Sequence, residues 1–296
     1  MSGDRGSGGK SLWLTPFDGS PVGSLPIAAC VITAGVSLAF LAQWWWGAES
    51  NLYAVYLVGG LYASSVLEGE VFRLVTSPLL HLHVPHMMIN ASVLLGLGGA
   101  LEAQIGHARL LLVIGLSMLS GSIAALALPS SPWSVAAGAS GGGFGMMGAW
   151  EVLVLRQWHD PPPLLRRIRW AMPIGLVFIL VSDLAIDLLF RDKIGWIPHL
   201  GGLAGGTAAM ALLSRGAGPI PLGRSARWMR LAAAGLGVVF LLGVAVDLQR
   251  IASGRICEVL GRDDLGEVNR AGFEKALRGM PVACTNLGAE PPPATR

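Results

Sequence analysis

The stretch Gly138-Ala139-Ser140-Gly141-Gly142-Gly143-Phe144-Gly145 sets a serine among small residues at the predicted start of a helix. Apolar segments lie on both sides of this stretch, and a later apolar segment contains a histidine, His199. A serine hydroxyl activated by a histidine is a common nucleophile for acyl transfer. Such chemistry needs a base and oxyanion-stabilising donors held close to the serine.

The composition indicates an integral membrane protein. Of 296 residues, 53% are hydrophobic and 13% are charged, and the mean hydropathy is +0.59. A soluble domain usually has about 25% charged residues. The net charge of +3 is not gathered into a basic patch with interleaved aromatic residues, which argues against a nucleic-acid partner.

Seven apolar segments are long enough, or nearly so, for the roughly 20 residues that a membrane-spanning helix needs. They cover residues 26–46, 84–101, 110–128, a stretch beginning near 138, 170–190, 194–213 and 231–246. Residues 47–83 are too apolar for a solvated loop and too interrupted for a span, so we expect an irregular or short-helical segment in the interface. The predicted divisions are a cytoplasmic tail (1–25), a six-span core (26–213), a basic loop with a seventh span (214–247) and a hydrophilic outer tail without a large core (248–296).

The distribution of basic residues predicts the orientation, because cytoplasmic loops are enriched in Lys and Arg. Eleven of these residues lie on one side: Arg5, Lys10, Arg109, Arg156, Arg166, Arg167, Arg169, Arg215, Arg224, Arg227 and Arg230. Before the C-terminal tail, the other side has Arg73, Arg191 and Lys193. The N-terminus is therefore predicted to be cytoplasmic and the tail to lie outside. Arg230 and Asp247 are expected to snorkel at the two ends of the seventh span.

With this topology, Ser140, His86 and His199 begin three different spans at the outer face. His86 and Asn90 are four residues apart, so they share a helix face, and both can donate hydrogen bonds. Small-residue faces allow two helices to approach closely in lipid, and two spans carry such faces: Gly141, Gly145 and Gly148 on the fourth, Gly202 and Gly206 on the sixth. The pattern predicts a polar site where these helices meet.

These motifs resemble those of one family over roughly residues 26–213. GASGGGFGMMGA around Ser140 is similar to a Gly-x-Ser-Gly block, and His199-x-x-Gly202-x-x-x-Gly206 to a His-x-x-Gly-x-x-x-Gly helix. His81-x4-His86-x3-Asn90 resembles the family's second-span motif, and Phe72-Arg73 its first-loop aromatic-Arg pair. The family is that of the rhomboid intramembrane serine proteases. Phe72 stands where the family more often has tryptophan.

The resemblance implies an all-α, six-helix membrane bundle, here with a seventh C-terminal helix, in a bacterial inner membrane. It implies a Ser140–His199 dyad without a carboxylate member, and an oxyanion hole of His86, Asn90 and the Ser140 backbone N–H. Phe144 would pack against the His199 ring, and the fifth span with the overlying segment would gate entry of transmembrane protein substrates. No cofactor is implied. The supporting residues are Gly138, Gly141, Gly202, Gly206, His81 and Arg73, and Glu102 is expected to cap or pair near the inner loop.

Several alternatives stay open at the level of sequence. A proteolytically inactive rhomboid-like binding or quality-control protein would be expected to lack Ser140 or His199, and a transporter would need an internal repeat that is not evident. His81, His83 and His86 have a spacing that permits metal binding, but no carboxylate or cysteine joins them. Asp183 and Asp187 could orient His199, although the wet interface is the more natural place for them. Cys257 and Cys284 are predicted to form a disulfide if the tail faces an oxidising compartment.

Overall fold

A computed structural model of the chain describes residues 25–48, 51–128, 135–156, 196–214, 227–261 and 267–281, together with positions 170, 173–175, 177, 181 and 284. Within these residues the regular elements are all helices, and the pairing of Leu61 with Ala136 is an isolated antiparallel bridge. The predicted all-α fold is confirmed.

The described α-helices are α1 (Ile27–Trp45), α2 (Leu52–Leu57), α3 (Ala63–Leu67), α4 (Arg73–Thr76), α5 (Val84–Ile105), α6 (His107–Ala127), α7 (Ser140–Arg156), α8 (Trp196–Leu213), α9 (Arg227–Ala252) and α10 (Glu267–Gly279). Four of them, α1, α5, α6 and α9, are long and apolar enough to cross a bilayer. Helices α7 and α8 are shorter and glycine-rich, with 17 and 18 residues. Most of the predicted fifth span, including Asp183 and Asp187, lies outside the described residues.

The start of α1 is tied to the junction of α5 and α6. The first turn of a helix has backbone N–H groups without intrahelical partners, and here the Glu102 carboxylate accepts bonds from Ala28 N (2.9 Å) and Ala29 N (2.8 Å). The same carboxylate contacts His107, the first residue of α6. Gly106, with φ +78°, makes the one-residue turn between α5 and α6. Glu102 therefore has the capping role expected from the sequence.

Helices α6, α7 and α8 pack against one another at the centre of the molecule. Apolar side chains of α5, α6, α7 and α8 fill one core, which includes Leu94, Ile114, Met146, Trp150 and Met210. Because α7 is buried largely by protein, it does not need the apolar outer surface of a lipid-facing helix. Ser140 lies at one end of this central group.

The first loop and the C-terminal tail share a second core, to which the tail, expected to lack a large core of its own, contributes apolar side chains. Residues 51–80 fold into the short helices α2, α3 and α4, as the interrupted pattern predicted. Helix α10 packs on α2, with the Phe273 ring 4.9 Å from that of Tyr53 and 5.2 Å from that of Tyr56. A disulfide joins Cys257 to Cys284, whose Cα atoms are 5.6 Å apart. The tail is thus docked on the first loop.

The expectation that Asp247 snorkels at a helix end is wrong. Its side chain is 8% exposed and pairs with Arg250 at 3.0 Å, within the last two turns of α9. The first loop covers this part of α9, so the carboxylate meets protein where the sequence alone predicted water. Arg230, near the other end of α9, is exposed as expected.

Candidate active site

Ser140 is the first residue of α7, and a short extended segment leads into it. Gly138 has φ +134°, a backbone conformation that favours glycine. Its N–H donates to the Ser77 carbonyl (3.1 Å), and the N–H of buried Ala139 donates to His81 Nε2 (3.4 Å). The backbone before the serine is therefore fixed by the first loop.

His199 lies in the first turn of α8 and meets the serine directly. Its Nε2 is 2.8 Å from Ser140 Oγ, a hydrogen-bond distance. Phe144, one turn along α7 from Ser140, stacks on the imidazole with ring centroids 4.3 Å apart and an interplanar angle of 13°. One helix thus supplies both the hydroxyl and the surface that orients the histidine.

The close approach of α7 and α8 depends on glycines, as the sequence predicted. A Cβ on Gly202 would lie 2.6 Å from the Gly141 Cα, and one on Gly145 would lie 2.9 Å from the Gly202 carbonyl oxygen. A Cβ on Gly206 would collide with the backbone of Gly145. These neighbours are backbone atoms that cannot rotate away, so a side chain at these positions would push the helices apart.

His86, on the first turn of α5, lies beside the same site. A Cβ on Gly138 would lie 2.7 Å from His86 Cε1 and 3.8 Å from Ser140 Oγ, so the imidazole and the hydroxyl flank one point. Asn90 is buried one turn further along α5, and its Nδ2 donates to the His86 carbonyl (2.9 Å). The structure brings Ser140, His199 and His86 together, with Asn90 directly behind His86.

His81 contacts the backbone of the residue that precedes Ser140. It is fully buried, and this burial, followed by the charge of neighbouring His86, lowers its pKa to about 3. A neutral imidazole can accept a hydrogen bond, which the contact from Ala139 N requires. His81 was expected to brace the first loop by hydrogen bonding. Its ring also holds the backbone of Ala139, the residue before Ser140.

Arg73 lies away from the serine and holds the first loop together. Its fully buried guanidinium donates to the carbonyls of Tyr56 (2.6 Å) and Gly60 (2.7 Å) and pairs with Glu70 (2.6 Å). It also stacks on the Tyr56 ring at 4.1 Å. Arg73 therefore stabilises the first loop and does not contact the Ser140 hydroxyl.

Gln43 and Ser77 also support the site and were missed at the sequence level. Gln43 is buried on α1, donates to the His81 carbonyl (2.5 Å) and accepts from the His81 N–H (2.9 Å). A polar residue in an otherwise apolar span is a signal of function or polar pairing, so Gln43 could have been found. Ser77 contributes its backbone carbonyl, which sequence does not reveal.

The rings of His81, His83 and His86 pack side by side without gathering around one point. The His81 and His86 centroids are 5.0 Å apart, and those of His83 and His86 are 5.7 Å apart. His83 Nδ1 accepts from the His86 N–H and so caps α5. Within the described residues, no three or more His, Cys, Asp or Glu side chains form a metal-binding group.

Comparisons with known proteins identify relatives of this chain. The Rhomboid domain model matches residues 68–216, half of the chain. Rhomboid-like protease 3 of Toxoplasma gondii is 27% identical over 183 residues, covering 62% of this chain and 65% of the relative. Rhomboid protease GluP of Bacillus subtilis is 31% identical over 167 residues, covering 56% of this chain and 31% of the relative.

A further relative, Inactive RHOMBOID-like protein 8 of Arabidopsis thaliana, is 32% identical over 103 residues, covering 34% of this chain and 29% of the relative. The chain spans less than two thirds of the length of each of these three proteins. Four helices able to cross a bilayer and the domain match together show that the chain is a multi-pass membrane protein and belongs to the rhomboid family.

Proposed function

We propose that the chain is an intramembrane serine endopeptidase that hydrolyses peptide bonds in or near transmembrane segments of other membrane proteins. The observation that carries this proposal is the 2.8 Å contact between Ser140 Oγ and His199 Nε2, with His199 stacked on Phe144. Two relatives are named as proteases, which supports the same activity.

In this mechanism Ser140 Oγ attacks the carbonyl carbon of the scissile bond while His199 Nε2 accepts the hydroxyl proton. His199 then gives that proton to the leaving amine as the C–N bond breaks. Water hydrolyses the resulting acyl-serine ester, again with His199 as the base, and the Ser140 hydroxyl is regenerated. Stacking on Phe144 limits rotation of the imidazole, so the base stays aligned between these steps.

The developing oxyanion needs donors at a fixed position. The Ser140 backbone N–H at the start of α7 supplies one, and the side chains of His86 and Asn90 supply the others. The position of the His86 ring beside Gly138 and Ser140 Oγ supports this role. The hydrogen bond from Asn90 Nδ2 to the His86 carbonyl supports a donor role for Asn90, because it fixes Asn90 relative to His86.

We also propose that the site opens to the outer face of a bacterial inner membrane, as the distribution of Lys and Arg favours. A peptide bond inside a helix is shielded by its own hydrogen bonds and side chains. Substrates should therefore carry glycine or other small, helix-weakening residues near the cut, where the helix unwinds more readily. The fifth span and the overlying segment are the two candidates for the gate.

An inactive rhomboid-like role is the second candidate, because one relative is named as inactive. A binding or quality-control protein does not need a hydroxyl hydrogen-bonded to an imidazole. The presence of both Ser140 and His199 in contact therefore favours the protease.

The test is cleavage of a transmembrane reporter by the protein in liposomes. We expect Ser140→Ala and His199→Ala each to lower kcat by on the order of 10³-fold or more, because the two residues act as one unit. A fluorophosphonate should label wild type at Ser140 and leave Ser140→Ala unlabelled. Ser92→Ala is the matched control, since Ser92 is exposed on α5 and its hydroxyl bonds the Met88 carbonyl. Cleavage that survives either site substitution would exclude the dyad.

A further inference from the structure

The C-terminal end of α9 carries a buried ion pair that faces the first loop. Asp247 and Arg250 are 3.0 Å apart, and each side chain is 8% exposed. Arg250 donates to the Leu57 carbonyl. Asp247 Oδ2 is so close to Gly59 that a Cβ there would lie 2.9 Å from it. The ion pair therefore contacts the backbone of the turn that follows α2.

This turn is connected to the nucleophile by backbone pairing. Leu61 and Ala136 exchange two N–H···O bonds of 2.9 Å. Gly60 packs tightly on Val135: a Cβ added to Gly60 would lie 2.8 Å from Val135 Cγ1. Ser140 follows Ala136 by four residues. A shift of the turn would thus be carried into the segment that presents the Ser140 hydroxyl.

The same turn is also held by α4. Thr76 Oγ1 donates to the Gly59 carbonyl (2.8 Å), and Arg73 donates to the Gly60 carbonyl (2.7 Å). The turn therefore contacts both α4 and α9. Neither Asp247 nor Arg250 falls within residues 68–216, so the family match gives them no role.

A stabilising role alone does not account for charges at this place. Burying two charges costs desolvation, and an apolar pair of similar volume is often as stable or more so. The ion pair adds a fixed orientation of the turn relative to α9. The planar guanidinium of Arg250 holds both the Leu57 carbonyl and the Asp247 carboxylate in place.

We propose that Asp247 and Arg250 are positioning residues for the Ser140–His199 pair. They fix the 57–61 turn and, through its bridge to Ala136, the backbone that sets Ser140 Oγ against His199. This inference rests on the proposed protease function. It assigns α9 a part in positioning the Ser140–His199 pair.

The test uses the full chain in liposomes and the double variant Asp247→Leu/Arg250→Met, which removes both charges and leaves none unpaired. We expect the unfolding midpoint to be kept and kcat to fall by on the order of 10-fold to 100-fold, with KM changed by less than about twofold. The rate of fluorophosphonate labelling at Ser140 should fall with kcat. Hydrogen exchange at the Leu61 and Ala136 amides should become faster, since these amides form the bridge.

The matched control is Arg255→Gln/Glu258→Gln, which removes an ion pair of the same i, i+3 spacing whose side chains are 66% and 68% exposed. It should behave as wild type. If the apolar double variant does not fold, Arg250→Lys decides, because it keeps the charge and loses the planar fork. Its kcat should be lower than that of wild type, by less than the fall expected of the double variant. Hydrogen exchange at the Leu61 and Ala136 amides should be faster than in wild type.

A folded double variant, or Arg250→Lys, with wild-type kcat and wild-type exchange would overturn the inference. If the wild-type protein neither cleaves the reporter nor is labelled, the proposed function is wrong. Exchange at Leu61 and Ala136 then decides separately whether the ion pair positions this backbone, and unchanged exchange would overturn it.

Discussion

Ser140 and His199 can share a hydrogen bond because glycines close to them in sequence allow α7 and α8 to pack backbone against backbone. Gly141 and Gly202 bring the backbones of α7 and α8 into contact, which places the two functional groups 2.8 Å apart. The sequence predicted this feature well, since glycines at helical spacing on two apolar segments indicate close helix packing. It could not predict the role of the Ser77 carbonyl, because every residue has a backbone carbonyl and only the fold selects one.

Gly202→Ala should separate the serine from the histidine. The added Cβ would lie 2.6 Å from the Gly141 Cα, so α8 must move. We expect a loss of stability of about 1–3 kcal/mol from overpacking and a fall in the fluorophosphonate labelling rate at Ser140 on the order of 10²-fold. Gly235→Ala on α9 is the control, because a Cβ added there would meet no neighbouring element within 4 Å among the described residues. Wild-type labelling of Gly202→Ala would contradict the close-packing argument.

At the scale of elements, hydropathy predicted the long helices and failed to place the tail. Helices α1, α5, α6 and α9 form within a few residues of the predicted spans, because about 20 apolar residues leave few alternatives in a bilayer. Along α10 and the residue after it, the buried positions Phe273, Ala276, Leu277 and Met280 follow helical spacing, a pattern that was visible in the sequence. What they pack against was not visible, because Tyr53 and Tyr56 lie more than 200 residues earlier.

A similarly long-range contact, with a sequence separation of 193 between Leu57 and Arg250, explains the wrong expectation for Asp247. A charged residue near the end of an apolar segment normally reaches water. Here the first loop covers it and supplies the Gly59 and Leu57 backbone as neighbours of the ion pair. Long-range burial of this kind depends on how the first loop packs against α9, which no local pattern encodes.

The Cys257–Cys284 disulfide should stabilise the docked tail in particular. It closes a connection with a sequence separation of 27, and disulfides typically contribute about 2–4 kcal/mol. We expect Cys257→Ser/Cys284→Ser, or reduction by a dithiol, to speed hydrogen exchange of the α10 amides on the order of 10-fold or more. Amides of α6, α7 and α8 should be unaffected.

Cys30→Ser is the control for this measurement, because Cys30 is a free cysteine exposed on α1. It should leave exchange in α10 unchanged. Equal α10 exchange in the oxidised, reduced and double-serine proteins would show that the apolar contacts of Phe273 and Leu277 hold the tail without the disulfide.

At the scale of the whole molecule, the two ends of the helix bundle differ in chemistry. The end with Ser140 also carries the first loop, the docked tail and the disulfide. The opposite end carries the Glu102 cap of α1 and the basic residues Arg109 and Arg156. A disulfide needs an oxidising compartment, and Lys and Arg favour the cytoplasmic side. Both features therefore favour the same orientation, with Ser140 towards the outside.

The two ends of α9 allow this orientation to be measured on one helix. Its 26 residues are about 39 Å long at 1.5 Å per residue, more than the roughly 30 Å hydrocarbon core, and both Arg227 and Ala252 are exposed. In a Cys30→Ser background, a membrane-impermeant maleimide applied to intact cells should label Ala252→Cys and spare Arg227→Cys. Both should react after the membrane is permeabilised, while paired Cys257 and Cys284 stay unreactive. Labelling of Arg227→Cys alone in intact cells would reverse the topology and place Ser140 on the cytoplasmic side.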